Sequence, residues 1–449
     1  MGPSLRYRLL IVCAVSSVIA LSAWILCRLS YSVVRPECAW YRNIAKDAQT
    51  HPRFLALDCD SARGVVVAGR YNPEFSQSHP SRSYIALFDC EGELQWRRNI
   101  GDGVNSVECR AVATDTRGDI FVAGEFSDEL RLGSGDQAQS LSALGSEYFL
   151  CKLDGNGNLI WAVSGFGGQQ VETDALGAVY TLSSSAAWDL VGDETAEQNR
   201  TAVAKLTGDG EMLRFVNMRA SVDLSDVEIT DDGELLLSGD FNYWMGDSPF
   251  VGVEQMRWIE SDEPPTRSSF LCKFDAELKP VWGIRWGSSI ASIDSNNGAI
   301  YMSGSFIGDI DADPGPGVAE FHATDLPSAF LSKYGSEGTF VWGKYWIASK
   351  GVRAVDVTSA ENGFTYVTGE FDGSCGFGLG AASNPFESRG GRDGYVLTID
   401  ESGTSQNVTV FGDSRTRDDA GLAIDIDENG DVFLAGNLSG RSFLAKVAR

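Results

Sequence analysis

Apolar and polar residues alternate with a period of two in short runs that recur along almost the whole chain. One run reads Gly, alternating hydrophobic residues, then usually a small residue and Gly. It occurs as GVVVAGR from Gly64, GDIFVAGEF from Gly118, GAVYTLSS from Gly177, GELLLSGDF from Gly233, GAIYMSGSF from Gly298, GFTYVTGEF from Gly363 and GDVFLAGN from Gly430. A second run, often ending in Lys and Asp, follows each: SYIALFD from Ser83, EYFLCKLD from Glu147, TAVAKLT from Thr201, SFLCKFD from Ser269, AFLSKY from Ala329, GYVLTID from Gly394 and SFLAKV from Ser442. A third carries Trp or a substitute at Trp96, Trp161, Phe215, Trp282, Trp342 and Val408, and a weaker fourth run ends near Asp, Thr or Asn before each Gly run. Period two is the pattern of strands half buried in a sheet.

Four short strands in roughly 55–60 residues, repeated along the chain, predict β-propeller blades. The expected fold is all-β: a seven-bladed propeller of four-stranded antiparallel blades. The strands are labelled A (weak run), B (Gly run), C (Lys-Asp run) and D (Trp run) from the channel outward. The A–B and C–D connections are short and rich in Asp, Asn and Gly, as tight turns require. The B–C connections read as long, polar and variable, so one face is expected to be plain and the other elaborated. The last C run ends at the C-terminus with no Trp run after it, whereas Ala39–Ala45 matches Gln95–Gly101 closely. The chain is therefore expected to begin with the D strand of its last blade, which closes the ring and leaves few free edges.

The segment Leu9 to Leu26 is apolar or small throughout and carries no charge, with Arg6, Arg8 and Arg28 flanking it. Its length is at the short end of a bilayer-spanning helix. The expected organisation is a tail at 1–8, a transmembrane signal-anchor or signal peptide at 9–27, a linker at 28–37 and the propeller at 38–449. The signal-anchor is favoured because Trp24, Ile25 and Leu26 prolong the apolar run past Leu21-Ser22-Ala23, where cleavage would fall. Acylation at Cys27 is a third outcome, against which the bulky residues before it argue. The propeller is expected outside the cytoplasm, membrane-anchored, or secreted if the segment is cleaved.

The formal net charge is −26, which argues against nucleic-acid binding and suits a soluble exported surface. Fifty glycines with thirteen prolines indicate many turns and no disordered tract.

The blade from Asp115 to Phe126, with Tyr148 to Trp161, resembles the bacterial seven-bladed β-propeller repeat family (SBBP-type repeats), whose consensus is D-x-x-G-N-x-Y-V-x-G-x-F followed by D-x-F-V-x-K-L-D-x-x-G-N-x-x-W. The copy with Asp309, Asp311, Asp313, Gly315 and Gly317, then Phe330, Lys333 and Trp342, is similar to copies in exported proteins of planctomycete-type bacteria. The resemblance covers about residues 38–449, with the third blade departing most. It implies the fold and an extracytoplasmic interaction role, and it implies no catalytic residues.

Asp425, Asp427, Asn429 and Asp431 form the most calcium-like string, and Asp309, Asp311 and Asp313 have similar spacing, since alternating oxygen ligands around a turn suit Ca²⁺. The same place in every blade holds a turn, which is the plainer reading. Calcium is the one cofactor these strings suggest. Cys59 and Cys90 fall in turns on one face of the first blade and form the disulfide candidate, although spacing cannot establish the Cα separation. Cys151 and Cys272 stand where other blades have Ala or Ser and are expected to be small buried residues. The chain has three histidines, His51, His79 and His322, in no metal or triad spacing. The longest B–C insertion, Asn242 to Ser268, contains Tyr243, Trp244, Phe250 and Trp258, which are candidates for a binding surface if exposed.

These features favour a monomeric, non-catalytic binding or scaffold propeller, tethered to the membrane and using its B–C loop face for a protein or polysaccharide. The competing class is a propeller enzyme, a hydrolase, lyase or dehydrogenase, with its site in the central channel. Glu172, Asp226 and Asp356 are expected on channel-facing A strands, with little His or Arg chemistry to complete a site.

Overall fold

The alternating runs form strands, and the strands pair in the expected order. A computed structural model describes residues 33–34, 38–43, 53–60, 63–71, 82–101, 105–183, 202–218, 222–241, 250, 257–259, 269–380, 384–413 and 418–448. Seven sheets of four or five strands make up the ring, and in each the A, B, C and D strands pair antiparallel in that order. Blade 1 runs from Arg53–Asp60 through Gly64–Tyr71 and Arg82–Phe88 to Leu94–Ile100. Blades 2 to 6 begin at the A strands Val107–Thr114, Phe166–Thr173, Val222–Ile229, Ser289–Asn296 and Val352–Ser359. Blade 7 takes its A, B and C strands from Ala420–Ile426, Val432–Leu438 and Arg441–Val447.

Its D strand is Cys38–Asn43, antiparallel to the last strand, with Trp40 opposite Lys446 and Tyr41 opposite Ala445. The two chain ends thus share one sheet. Trp40 lies 5.9 Å from Phe433 and Tyr41 stacks at 5.2 Å on Phe443, so the closing strand is fixed by packing as well as by its ladder.

The hydrophobic core lies between blades. Each of seven buried clusters joins two neighbours: one combines Val66, Ile85 and Leu87 of blade 1 with Val112, Val122 and Cys151 of blade 2, and another joins Phe433 and Leu444 of blade 7 to Val65 and Ala86 of blade 1. Trp286 and Trp346 pack in two such seams, the first against Phe330 and Tyr334 of the next blade, the second among Val352 and Phe377. Cys151 and Cys272 are fully buried small residues, as expected.

The repeated Trp, Asp and Gly acquire a shared structural purpose. The D-strand Trp of one blade donates its indole N–H to a carbonyl in the next blade's C–D turn: Trp40 to Cys90, Trp96 to Gly155, Trp161 to Gly208, Trp282 to Ser336 and Trp342 to Glu401, at 2.7–3.1 Å. In three of these turns an Asp caps the backbone (Asp89, Asp154 and Asp400), and in blade 3 Thr207 takes that place. Asp154, for example, accepts from Asn156 and Asn158 N–H groups at 2.9 and 2.8 Å. Gly157 closes that turn at φ 76°, and a methyl group there would sit 2.9 Å from the Trp96 ring, so Gly is needed for both reasons. Much of the acidic excess therefore serves turns. Replacing fully buried Trp282 with Ala is expected to cost about 3–5 kcal/mol, and Trp96→Phe, which keeps most of the packing, about 1 kcal/mol. Urea unfolding measures both, and a Trp96→Phe variant as stable as the parent would argue against the indole hydrogen bond.

Three expectations change. The B–C connection of blade 7 is the two-residue turn Ser439–Gly440, not a long loop. That of blade 2 is a continuous ribbon: strands Ile120–Leu132 and Gln139–Leu153 stay paired to Leu132 and Gln139, and buried Leu130 and Leu132 fasten the ribbon to the core. Blades 4 and 6 gain a fifth, outermost strand. In blade 4, Arg257–Ile259 of the long insertion pairs parallel to the D strand; in blade 6, Val33–Val34 pairs with Gly412 and Asp413. Both cover edges that would otherwise be open. The apolar segment 9–26 lies outside the described residues, and among the described residues no helix is long and apolar enough to cross a membrane.

Candidate functional site

The seven A strands line a central cavity of about 310 Å³. A bulge at equivalent places in the A strands fixes which residues face inward. One level carries Asp226 and Asp356, with Gln170 and Ser292 at equivalent positions. The next inward level, two residues on, carries Asp58, Glu172, Glu228, Asp294 and Asp425. The channel is belted by carboxylates, and Arg110 is the one cation among its lining residues. Its guanidinium is held by Glu125 at 3.0 Å and Glu108 at 3.4 Å.

Most of these carboxylates reach across to the neighbouring blade. Asp226 Oδ2 accepts from Ile293 N–H at 2.9 Å, Asp356 Oδ2 from Ile424 N–H at 2.8 Å, and Asp425 Oδ2 from Cys59 N–H at 2.8 Å. Glu228 accepts from the Ser295 hydroxyl at 2.9 Å, Asp58 from the Thr114 hydroxyl at 2.6 Å, and Asp294 from the Ser359 hydroxyl. Ser292 donates to Asp356 at 2.7 Å. These contacts stitch the innermost strands together. Burial deep inside the ring, reinforced by neighbouring acids, pushes Asp226 up to about 7 and Asp356 up to about 6. Burial likewise raises Glu172, Glu228 and Asp294 well above the usual carboxylate range, with Glu228 acting on the first and Asp294 on the second. The belts can donate protons near neutral pH, but no described lining residue supplies an imidazole or an activated nucleophile beside them. Among the described residues the one histidine is His322, exposed on the small hairpin Asp309–Asp311/Glu320–His322 and 3.2 Å from Asp309.

The sequence placed Glu172, Asp226 and Asp356 in the channel correctly. It missed Asp58, Glu228, Asp294 and Asp425 as members of one belt. The signal was present in the acid near the end of the weak A runs, but the bulge that sets the facing is invisible without pairing.

The calcium strings do not assemble a site. Asp425 belongs to the channel. Asp427 Oδ1 accepts from the Asn429 and Asp431 N–H groups, and Asp431 pairs with Lys446 at 2.5 Å. Asp311 and Asp313 likewise cap their own loop, through the N–H groups of Asp313, Ala319 and Gly315, while Asp309 meets His322. Among the described residues no group of three or more acidic, His or Cys side chains is placed to hold a metal ion. Cys59 and Cys90 are free thiols, and the Cys59 side chain meets Asp425 instead.

The proposed aromatic surface is also revised. Phe250 is 1% exposed and packs edge-on against Phe270 and Phe274, so it is a core residue. Trp258 lies on the added edge strand of blade 4, and Tyr243 and Trp244 lie outside the described residues. Among the described residues, the large exposed apolar side chains on the B–C and D–A face are Leu144, Ile307, Val318, Leu326 and Ile347. Ile307 and Leu326 flank the base of the blade 5 hairpin, where Gly308 N–H donates to the Thr324 carbonyl.

Neither family models nor curated proteins compared with the sequence gave a match. Solved structures with a similar fold include Sqt1 of Chaetomium thermophilum bound to the N-terminus of ribosomal protein L10, at 8% identity and TM-score 0.48, covering 92% of this chain and 100% of that one. The Pan2 WD40 domain of Neurospora crassa matches at 9% identity and TM-score 0.46, covering 90% and 97%. A gluconolactonase of Xanthomonas campestris matches at 11% identity and TM-score 0.34, covering 93% and 100%. These likenesses concern the fold alone.

Proposed function

We propose that this chain is a non-catalytic binding propeller of the bacterial SBBP repeat kind, monomeric and exported. The apolar segment 9–26 tethers it to the membrane, and it takes a protein or polysaccharide on its B–C face. The observation that carries the reading is the asymmetry of the two faces. One is built of capped, near-identical turns. The other bears the blade 2 ribbon, the blade 5 hairpin and the long blade 4 insertion. Leu144, Ile307, Val318, Leu326 and Ile347 are exposed there, while Leu94, Ile160, Leu176, Leu213 and Val341 are exposed toward the plain face, so the asymmetry is one of loop length. Apolar side chains left in solvent on variable loops are a common feature of interaction surfaces.

The test uses immobilised full-length protein against a glycan array and a cell-surface extract. The double variants Ile307→Ser/Leu326→Ser and Trp244→Ala/Trp258→Ala are expected to reduce specific binding at least about tenfold while Tm stays within a few degrees, as surface substitutions generally allow. Leu176→Ser, on the opposite face, should leave binding intact. Binding lost only with Leu176→Ser would sink the assignment. The raised carboxylates of the channel favour the enzyme alternative. It predicts turnover abolished by Asp356→Asn and untouched by the loop variants.

A further inference from the structure

At the junction of blades 6 and 7 three aspartates lie out of solvent. Asp393 opens the C strand of blade 6, Asp413 ends its D strand and Asp419 stands on the link into blade 7; each is at most 1% exposed. Asp419 is fully engaged. Its Oδ2 accepts from Asp413 N–H at 2.8 Å, and its Oδ1 from Ser439 N–H, in the B–C turn of blade 7, at 2.7 Å. Asp393 is different. Neither of its carboxylate oxygens has a hydrogen-bond partner of good geometry, and its carboxyl group is pressed onto Gly412, where any side chain would overlap it.

The charges around Asp393 give little relief. Asp419 and Asp413 face it from the link and the D strand. The Arg389 guanidinium acts from the preceding loop, and the Arg389 N–H offsets burial only in part, falling short of a well-formed hydrogen bond. Arg392, the neighbour on its own strand, is turned to the surface by Glu370 and by Asp418 at 2.6 Å. A buried, unpaired carboxylate is costly when ionised and far less so when protonated. Burial and the two aspartates push Asp393 up to about 7, and burial pushes Asp419 up to about 6. No described group here is placed to hold a metal ion instead.

Two parts of the closure converge on this cluster. The N-terminal strand Val33–Val34 pairs with Asp413 and Gly412, immediately beside the Asp393 carboxyl. The link into blade 7 is held by Asp419 N–H to the Arg392 carbonyl at 2.8 Å. We propose that Asp393, Asp413 and Asp419 form a proton-operated latch, which holds the N-terminal strand and the blade 6–7 link while a carboxyl proton is retained and loosens them when it is lost. The protonated form favours the docked state, so the latch is tight in mild acid and weakens as pH rises through neutrality. Since Val33–Val34 directly precedes the closing strand, the pH dependence acts where the ring is joined.

The test is hydrogen exchange on the full chain at about pH 5 and about pH 8, corrected for intrinsic exchange, reading amides of 392–395, 409–413 and 436–440. These amides are expected to be about tenfold less protected at the higher pH, as when one carboxyl holds its proton about tenfold more firmly in the docked state than in the loosened one. Asp393→Asn, neutral at every pH, should remove most of that dependence, leaving the smaller share that Asp419 supplies, while the channel amides keep theirs. Equal protection of the wild type at both pH values would overturn the proposal, as would an unchanged pH dependence in Asp393→Asn. Restoration of protection at the higher pH by calcium chloride would also overturn it, by assigning the cluster to a cation. If Asp393→Asn does not fold, Asp393→Ser is read in the same way: loss of the pH dependence at these amides supports the latch, and an unchanged dependence refutes it.

Discussion

Deleting Cys38–Asn43 is expected to unzip the last blade and make unfolding less cooperative. The deletion removes the ladder to Arg441–Val447 and bares that strand's edge. It also removes Trp40 from Phe433, Tyr41 from Phe443, and the 2.7 Å bond from Trp40 to the Cys90 carbonyl, which ties blade 7 to blade 1. Loss of one large aromatic from a well-packed site costs about 3–5 kcal/mol. Trp40 is only partly buried, so Trp40→Ala alone should cost about 2–3 kcal/mol. The whole strand should cost more than about 5 kcal/mol, a large share of the roughly 5–15 kcal/mol that stabilises a domain. Calorimetry should show a Tm lowered by more than about 5 °C and a broadened transition. A deletion protein that melts as high and as sharply as the parent would show that closure is not what holds the ring together.

The second large effect is a stability that falls as pH rises. Acids usually gain stability above their pKa, because pairing lowers it in the folded state. Here the direction is reversed for the channel belts and the blade 6–7 junction. Asp226 and Asp393 are pushed to about 7 and Asp356 and Asp419 to about 6, first by burial and then by neighbouring carboxylates. Against an unfolded value near 3.9, the folded state binds more protons through this window, so stability is fully present near pH 4 and is lost progressively to about pH 7. A tenfold firmer hold on a proton in the folded state is worth about 1.4 kcal/mol, which makes the sum over these groups of order several kcal/mol. Asp115 and Asp154 are lowered instead, through the hydrogen bonds of their turns, and oppose this only in stronger acid. Tm is therefore expected to be higher at about pH 5 than at about pH 8, and Asp226→Asn/Asp356→Asn should flatten the profile. A Tm that climbs from pH 5 to pH 8 would show that the belts are ionised without penalty.

Glycine-flanked alternating runs, capped turns and a Trp run missing at one end and present at the other were enough to read the blades, their number and their closure. These are local properties: period two sets which side chains share a face, and Asp-x-x-Gly sets a turn, whatever lies beyond. The N-terminal apolar segment is legible for the same reason, as a stretch of composition. Candidate chemistry was read less well. Phe250 seemed a surface aromatic because its insertion is polar, yet it enters the core beside Phe270. The calcium string divides between a channel, a turn and an ion pair because Asp425 lies in the A strand, whereas Asp427, Asn429 and Asp431 lie in the turn after it, where the chain reverses.

The channel belts and the junction of Asp393, Asp413 and Asp419 bring together carboxylates that lie far apart along the chain or in separate segments. The sequence by itself determined the repeating unit, its strands and turns, and how the ends meet, because those follow from short-range periodicity. Only the tertiary structure decided which acids face one another and how far each is buried. Spatial convergence and desolvation are properties of the closed ring, and no single blade contains them.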